Sequence, residues 1–208
     1  MTNYWTKVLE DDFEDYDGGM GTWQAYPGDF LPIIDTVVFY SGAKSVKFDA
    51  TITHRSMMKS GLSYVYSQNI EFYYLVSGSS NTNLDHSIIT TDNDSNILVP
   101  ISVNGINKHL MYNSSTGDVV DTGFIFSADV WYKIKIVQNI VEKKYSLWIN
   151  DVLIIDNVKG YGDPFGYVNT IYFFKTGGFT GMYFWIDKFS IFEMTGVLES
   201  VTNALVST

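Results

Sequence analysis

Cysteine is absent from this 208-residue chain, which excludes disulfides, thiolate metal centres and cysteine nucleophiles and leaves the redox compartment unread. Cations are scarce, with 13 Lys and Arg against 23 Asp and Glu for a formal charge of −10. Phosphate backbones and anionic bilayers are held by Lys and Arg clusters, and no basic patch interrupts the acidity. Nucleic acid and membrane insertion are therefore not expected. No run approaches the roughly 18 apolar residues of a membrane helix. The opening MTNYWTKVLEDDFED has neither an apolar core nor a basic leader, so no signal peptide is expected there. A G-x-S-x-G elbow, a phosphate loop and a dinucleotide fingerprint are all missing, and His54, His86 and His109 stand singly without metal-ligand spacing.

What the chain does have is aromatic residues: 15 Tyr, 14 Phe and 5 Trp make up 16% of it, a composition that favours strands and large packed sheets. The pattern is clearest from Val130 to Asp156. Tyr132, Ile134 and Ile136 alternate with Lys133 and Lys135, and after a polar break at Val141–Lys143 the alternation resumes with Tyr145, Leu147 and Ile149. Period-2 alternation is what a half-buried antiparallel strand requires. Asn150-Asp151 then separates two β-prone runs by two residues that tolerate positive φ, which predicts a tight hairpin. Three consecutive antiparallel strands follow from this stretch alone.

Elsewhere, a short strand is expected in the Leu9–Asp15 segment, entering a glycine-rich turn, and further strands at Ala43–Ala50, near Thr51–Met57, at Asn69–Val76, His86–Thr91, from Ile97 to Val103, and at Lys108–Tyr112, Ile171–Lys175 and Met182–Phe192. The Pro27-Gly28 and Leu31-Pro32 stretch reads as a loop, and Asp92–Asn96 as a hairpin turn rather than a calcium loop. About a dozen short strands with a turn every eight to twelve residues predict one all-β domain over residues 1–193. A domain of this size buries about 70% of its unfolded surface and needs no metal or disulfide to fold. Val197, Leu198, Val201 and Leu205 then recur at helical spacing, so residues 194–208 are expected to form a tail, a short amphipathic helix or arm that docks other protein subunits.

Several segments together carry a family resemblance: Phe13-Glu14-Asp15 followed by Gly18, Gly19 and Trp23, SGAKSVKFD at Ser41–Asp49, VWYKIKIV with KKYSLWINDVLI, and the closing YFWIDKFSIF. Over about residues 8–193 these are similar to the concanavalin A-like lectin/glucanase superfamily, especially its laminin-G-like and jelly-roll carbohydrate-binding modules. Asp151 departs from the turn glycine usual in that group. The resemblance implies a jelly-roll sandwich of two antiparallel sheets. It also implies a structural calcium ion bridging the first and last strands, with Asp12 or Glu14 and Asp187 as ligands. It does not select an activity, because this fold hosts lectins, hydrolases and structural domains.

Two chemistries remain in view. The E-x-D-x-E spacing would put Glu10, Asp12 and Glu14 on one strand face, where retaining glycosidases hold two carboxyl groups about 5 Å apart. The run lies at the N-terminus beside a glycine turn, and a solvated acidic edge explains it as well. Sugar binding instead needs exposed rings that stack on a pyranose, and Trp23, Tyr26, Tyr161, Phe165 and Tyr167 lie in stretches that read as loops. The expectation is a non-catalytic, surface-displayed component of a larger assembly, of the virion decoration or fibre type, with recognition of a cell-surface glycan. It would be made in the cytoplasm, act at a virion or extracellular surface, and require no cofactor beyond structural calcium. A stand-alone lectin-like module and a glucanase-type hydrolase are the alternatives.

Overall fold

The computed structural model describes residues 5–16, 20–49, 54–62, 67–79, 86–92, 96–161, 168–175 and 181–194. Among the described residues fourteen strands run in order: β1 Trp5–Asp11, β2 Ile33–Asp35, β3 Ser45–Phe48, β4 Arg55–Lys59, β5 Gln68–Gly78, β6 His86–Thr91, β7 Ile97–Val103, β8 His109–Asn113, β9 Val119–Ile125, β10 Trp131–Asn139, β11 Lys144–Ile149, β12 Val152–Lys159, β13 Thr170–Lys175 and β14 Met182–Met194. No helix occurs among the described residues. The larger sheet has the order β12-β11-β10-β5-β14-β3-β2, with β1 also paired to β14, and the smaller has β4-β13-β6-β7-β8-β9. Every pairing between strands is antiparallel. The fold is all-β, as the alternation predicts, and a jelly-roll β-sandwich, as the family resemblance implies.

The stretch from Val130 to Asp156 forms three neighbouring strands, β10, β11 and β12. Asn150 and Asp151 both take positive φ, 48° and 63°, the pair of angles a two-residue hairpin needs to match strand twist. Two strands were not legible. No strand was expected between the Pro27–Pro32 loop and Ala43, where β2 lies, and β9 is interrupted in composition by Gly123. Of the tail expected over 194–208, Met194 ends β14 and the rest lies outside the described residues, as do Phe165 and Tyr167.

The inward faces form one core. From the larger sheet come Ile70, Phe72, Tyr74, Ile134, Ile136, Leu147, Phe184 and Ile186, and from the smaller Ile88, Val99, Ile101, Ile171 and Phe173. Thr90 of the smaller sheet donates to Gln138 Oε1 at 2.9 Å, and Gln138 donates to Gln68, so a polar link crosses the core between the sheets. Deep inside, burial holds the Tyr145 phenol well above its ordinary range.

β14 is the central strand. It pairs with β5, β3 and β1, and its register with β5 slips between Asp187 and Ser190, where Lys188 takes φ 48°. Such a bulge re-aims the side chains beside it. At its other end β14 passes so close to β5 that a Cβ on Gly78 would lie 1.8 Å from the Gly181 carbonyl oxygen. Gly61 has the same φ, +73°, but nothing within 4 Å. The pair separates backbone strain from steric clash. Gly61→Ala should cost about 1 kcal/mol, the left-handed penalty alone, whereas Gly78→Ala should cost about 3 kcal/mol by adding displacement of a central strand. Urea unfolding of both variants checks the difference.

Candidate functional site

Because side chains alternate, the strands that supply the core also display a second set outward. On β5 these are Asn69, Glu71, Tyr73 and Leu75; on β10, Trp131, Lys133 and Lys135; on β14, Tyr183, Trp185 and Asp187. The register sets them in rows across the sheet. Trp131, Leu75, Trp185, Lys47 and Ile33 form one row over five strands, about 19 Å at the usual strand spacing. Lys133, Tyr73 and Asp187 form the next, and Trp148, Lys135, Glu71 and Ser190 the one beyond.

Over this face folds the β2–β3 connection, residues 36–44, as a strap. Its first turn is local: Asp35 accepts the N–H groups of Val37 and Val38. Its crest is held by two carboxylates from elsewhere. Asp187 Oδ2 accepts from Tyr40 N at 2.9 Å and Ser41 N at 3.1 Å, while Oδ1 accepts from Lys188 N at 2.7 Å. Glu14 Oε1 accepts from Ala43 N at 2.9 Å and Lys44 N at 3.0 Å, and the Lys44 ammonium returns to the Glu14 carbonyl. Gly42 between them has φ +80°, and a Cβ there would meet Glu14 Oε1 at 2.2 Å. Glycine is what lets the carboxylate in.

The strap delivers one ring. Tyr40 stacks on Tyr73 with centroids 3.5 Å apart and planes 14° from parallel, and Trp131 stands edge-on to it at 6.0 Å and 69°. Tyr40 remains 44% exposed. The result is a corner with a tyrosine floor and a tryptophan wall. Charge surrounds it: Lys133 Nζ lies 3.5 Å from Glu71 Oε2 and 3.6 Å from Asp151 Oδ1. The hydrogen bond joining Tyr73 to Tyr40, then burial, then the negative charges of Glu71 and Asp151 push the Tyr73 phenol up to about 12. Farther along the face Lys47 sits over the rings of Tyr183 and Trp185, and Lys135 over Trp148.

The residues proposed from sequence fare differently. Trp23 is no platform: it is 3% exposed and packs 5.2 Å from Phe189 and 6.3 Å from Phe173, plugging the gap between the sheets. Its indole N–H donates to Asp11 Oδ2 at 2.7 Å, and the Tyr16 hydroxyl donates to the same oxygen. Tyr26 is exposed but lies against Tyr172 of the smaller sheet, and Tyr161 lies beside Gly117 at the β8–β9 turn, so neither joins the corner. Tyr40, Tyr73 and Trp131 were missed. The signal for two of them was present, since Tyr73 and Trp131 occupy the outward phase of strands read correctly from their inward phase.

The acidic run also changes meaning. β1 ends at Asp11, and Phe13 takes φ 62° with its ring buried, so alternation breaks and Glu10, Asp12 and Glu14 do not share a strand face. Glu10 is exposed and paired with Lys7 at 2.7 Å. Asp187 is 0% exposed. Burial raises its pKa above the usual carboxylate range and nearby Glu14 adds to this, against the pull of its three N–H donors. Calcium needs about six to eight oxygen ligands. Asp187, Glu14 and Asp12 are instead met by N–H groups, Asp12 by that of Glu14, and no group of three or more His, Asp or Glu able to hold a metal occurs among the described residues. The set as placed does not fit a shared calcium ion.

No protein-family model matches the chain, and no curated protein does. Solved structures are similar. A sialidase gives a TM-score of 0.66 at 10% identity, over 88% of this chain and 18% of that one. The cellulose induced protein Cip1 gives 0.66 at 16%, over 88% and 96%. The conserved carbohydrate esterase of a Shiga toxin-encoding bacteriophage gives 0.65 at 15%, over 92% and 100%. Likeness at these identities shows the jelly-roll sandwich and no more.

Asp187→Ala tests the strap. It leaves two strap N–H groups without their acceptor, and should cost about 2–3 kcal/mol in urea unfolding while abolishing the near-UV dichroism of the stacked tyrosines. A pH dependence follows from Tyr73. The unfolded chain releases this proton near 10.0, the ordinary value of a tyrosine, but the native chain holds it up to about 12. The native state then binds more protons, so the contribution is whole below pH 10 and lost as pH rises through 12. Stability should fall over that interval, less steeply in Tyr73→Phe.

Proposed function

We propose that this chain is a non-catalytic carbohydrate-binding module that holds a glycan against the strapped outer face of its larger sheet. The observation that carries this reading is the Tyr40–Tyr73–Trp131 corner. A pyranose presents a C–H-rich face that stacks on an aromatic ring, and a perpendicular second ring fixes its orientation. Tyr40 is fixed before any ligand arrives, because Asp187 holds its backbone and Tyr73 holds its ring. Preorganisation of this kind reduces the entropy lost on binding. Hydroxyls of the sugar would meet Glu71, Asp151 and Lys133.

The same charges favour binding over hydrolysis. Glu71 and Asp151 are the two carboxylates beside the corner, and the Lys133 ammonium stands within ion-pair distance of both. That space holds a cation, not a glycosidic oxygen awaiting an acid and a nucleophile. Similar solved structures supply the context. They include the sialidase and the phage carbohydrate esterase, and a structure of botulinum neurotoxin type C, whose cell entry depends on interaction with two ganglioside molecules (TM-score 0.55, 15% identity). The likeness over the full length of a phage protein also favours a finer reading, a module of the concanavalin A-like type displayed on a virion or other extracellular assembly.

A glycan array with the whole chain tests the reading. Tyr40→Ala and Trp131→Ala should each weaken binding about tenfold or more, the equivalent of about 1.4 kcal/mol per ring. Tyr26→Ala and Tyr161→Ala, remote from the corner, should not change it. Binding that survives both corner variants would sink the proposal.

A further inference from the structure

We infer that the corner selects uncharged glycans and rejects those carrying a carboxylate, an inference that rests on the carbohydrate reading above and names its ligand class. The argument is electrostatic and local. Beside the stacked rings stand two carboxylates and one ammonium, and that ammonium is shared between both carboxylates at 3.5 and 3.6 Å. Tyr73 lies directly across from Lys133 in the register and two residues from Glu71 on the same face, so a sugar on Tyr40 lies above this group. In that trio the single ammonium is outnumbered two to one by carboxylates.

Among the described residues Lys188 stands exposed beside Asp187 on β14, and three other lysines of the face are engaged farther off. Lys135 lies over Trp148, Lys47 over Tyr183 and Trp185 and 3.9 Å from Asp35, and Lys44 reaches the Glu14 carbonyl. Beneath the strap Asp187 and Glu14 add further negative charge. The chain as a whole carries −10. A uronate or sialate would therefore lose water and gain a like-charge neighbour, an arrangement that works against a partner. A neutral hydroxyl has the opposite fit. The carboxylates Glu71 and Asp151 accept from it, and a remaining Lys133 proton donates to it. Aromatic stacking is indifferent to charge, so the rings set affinity and the Glu71–Lys133–Asp151 trio sets the class.

The experiment uses oligosaccharides in matched pairs, each neutral member alongside its sialylated or uronate counterpart, titrated against the full chain and against Glu71→Gln/Asp151→Asn. The native chain should bind neutral members and bind their carboxylated partners at least tenfold more weakly. The double variant frees Lys133 and should close most of that gap by strengthening carboxylated members, with neutral binding falling only a fewfold. Carboxylated members bound as tightly as neutral ones by the native chain would overturn the inference while leaving the carbohydrate reading standing, provided Tyr40→Ala and Trp131→Ala abolish the binding. An unchanged ratio in the double variant would also overturn it. Binding to no member of either class would overturn the carbohydrate reading and this inference with it.

Discussion

The outer face of the larger sheet depends on one buried carboxylate. Asp187 sits on the central strand beside a bulge, fully covered, and its two oxygens take three backbone N–H groups. Removing a carboxylate from water is costly unless its lone pairs are met. Here burial still wins, which is why the group titrates above the usual range. The fold tolerates that because the same hydrogen bonds close a nine-residue strap that would otherwise carry open amides. Glu14 repeats the device at the other end of the crest, with Gly42 leaving room for it.

One set of strands thus serves two purposes through its two phases. In β5 the even positions Ile70, Phe72, Tyr74 and Val76 fill the core, and the odd positions Glu71 and Tyr73 face outward. A slip of one residue would exchange them. The tight turn at Asn150 and Asp151, the polar link from Thr90 through Gln138 to Gln68, and the close approach of Gly78 to Gly181 all oppose such a slip. Features that look purely structural fix where Tyr73 and Trp131 point.

Most of the scaffold was legible in the sequence and most of the site was not, for a physical reason. Strands such as β10 and β11 announce themselves through neighbours two residues apart, so a local window captures them. The corner is assembled from residues 40, 73, 131, 151 and 187, and no local window contains it. Trp23 misled because a Trp after a glycine turn reads as loop-borne, whereas its Nε1–H finds Asp11 and its rings find Phe173 and Phe189. Glu10, Asp12 and Glu14 misled because spacing implies a shared face only while the strand lasts, and β1 stops at Asp11. Asp11 itself, the odd member of that run, is the residue whose carboxylate accepts from the Phe13 N–H, the Tyr16 hydroxyl and the Trp23 indole.

The donors around these acids also bear on why the strap is built from carboxylates at all. A cation bridging Glu14 and Asp187 would hold the same loop, but its oxygen ligands would have to come from carbonyls turned inward. In this chain Tyr40, Ser41, Ala43 and Lys44 turn their N–H groups inward instead, and Gly42 takes the left-handed φ between them. Successive amides directed at an anion form a concavity of the kind that binds phosphate in other folds. Here the anions are the protein's own side chains, covalently fixed on β14 and just beyond β1. The strap is therefore set by the fold itself, and Tyr40 is presented over Tyr73 without a diffusible ligand to organise it.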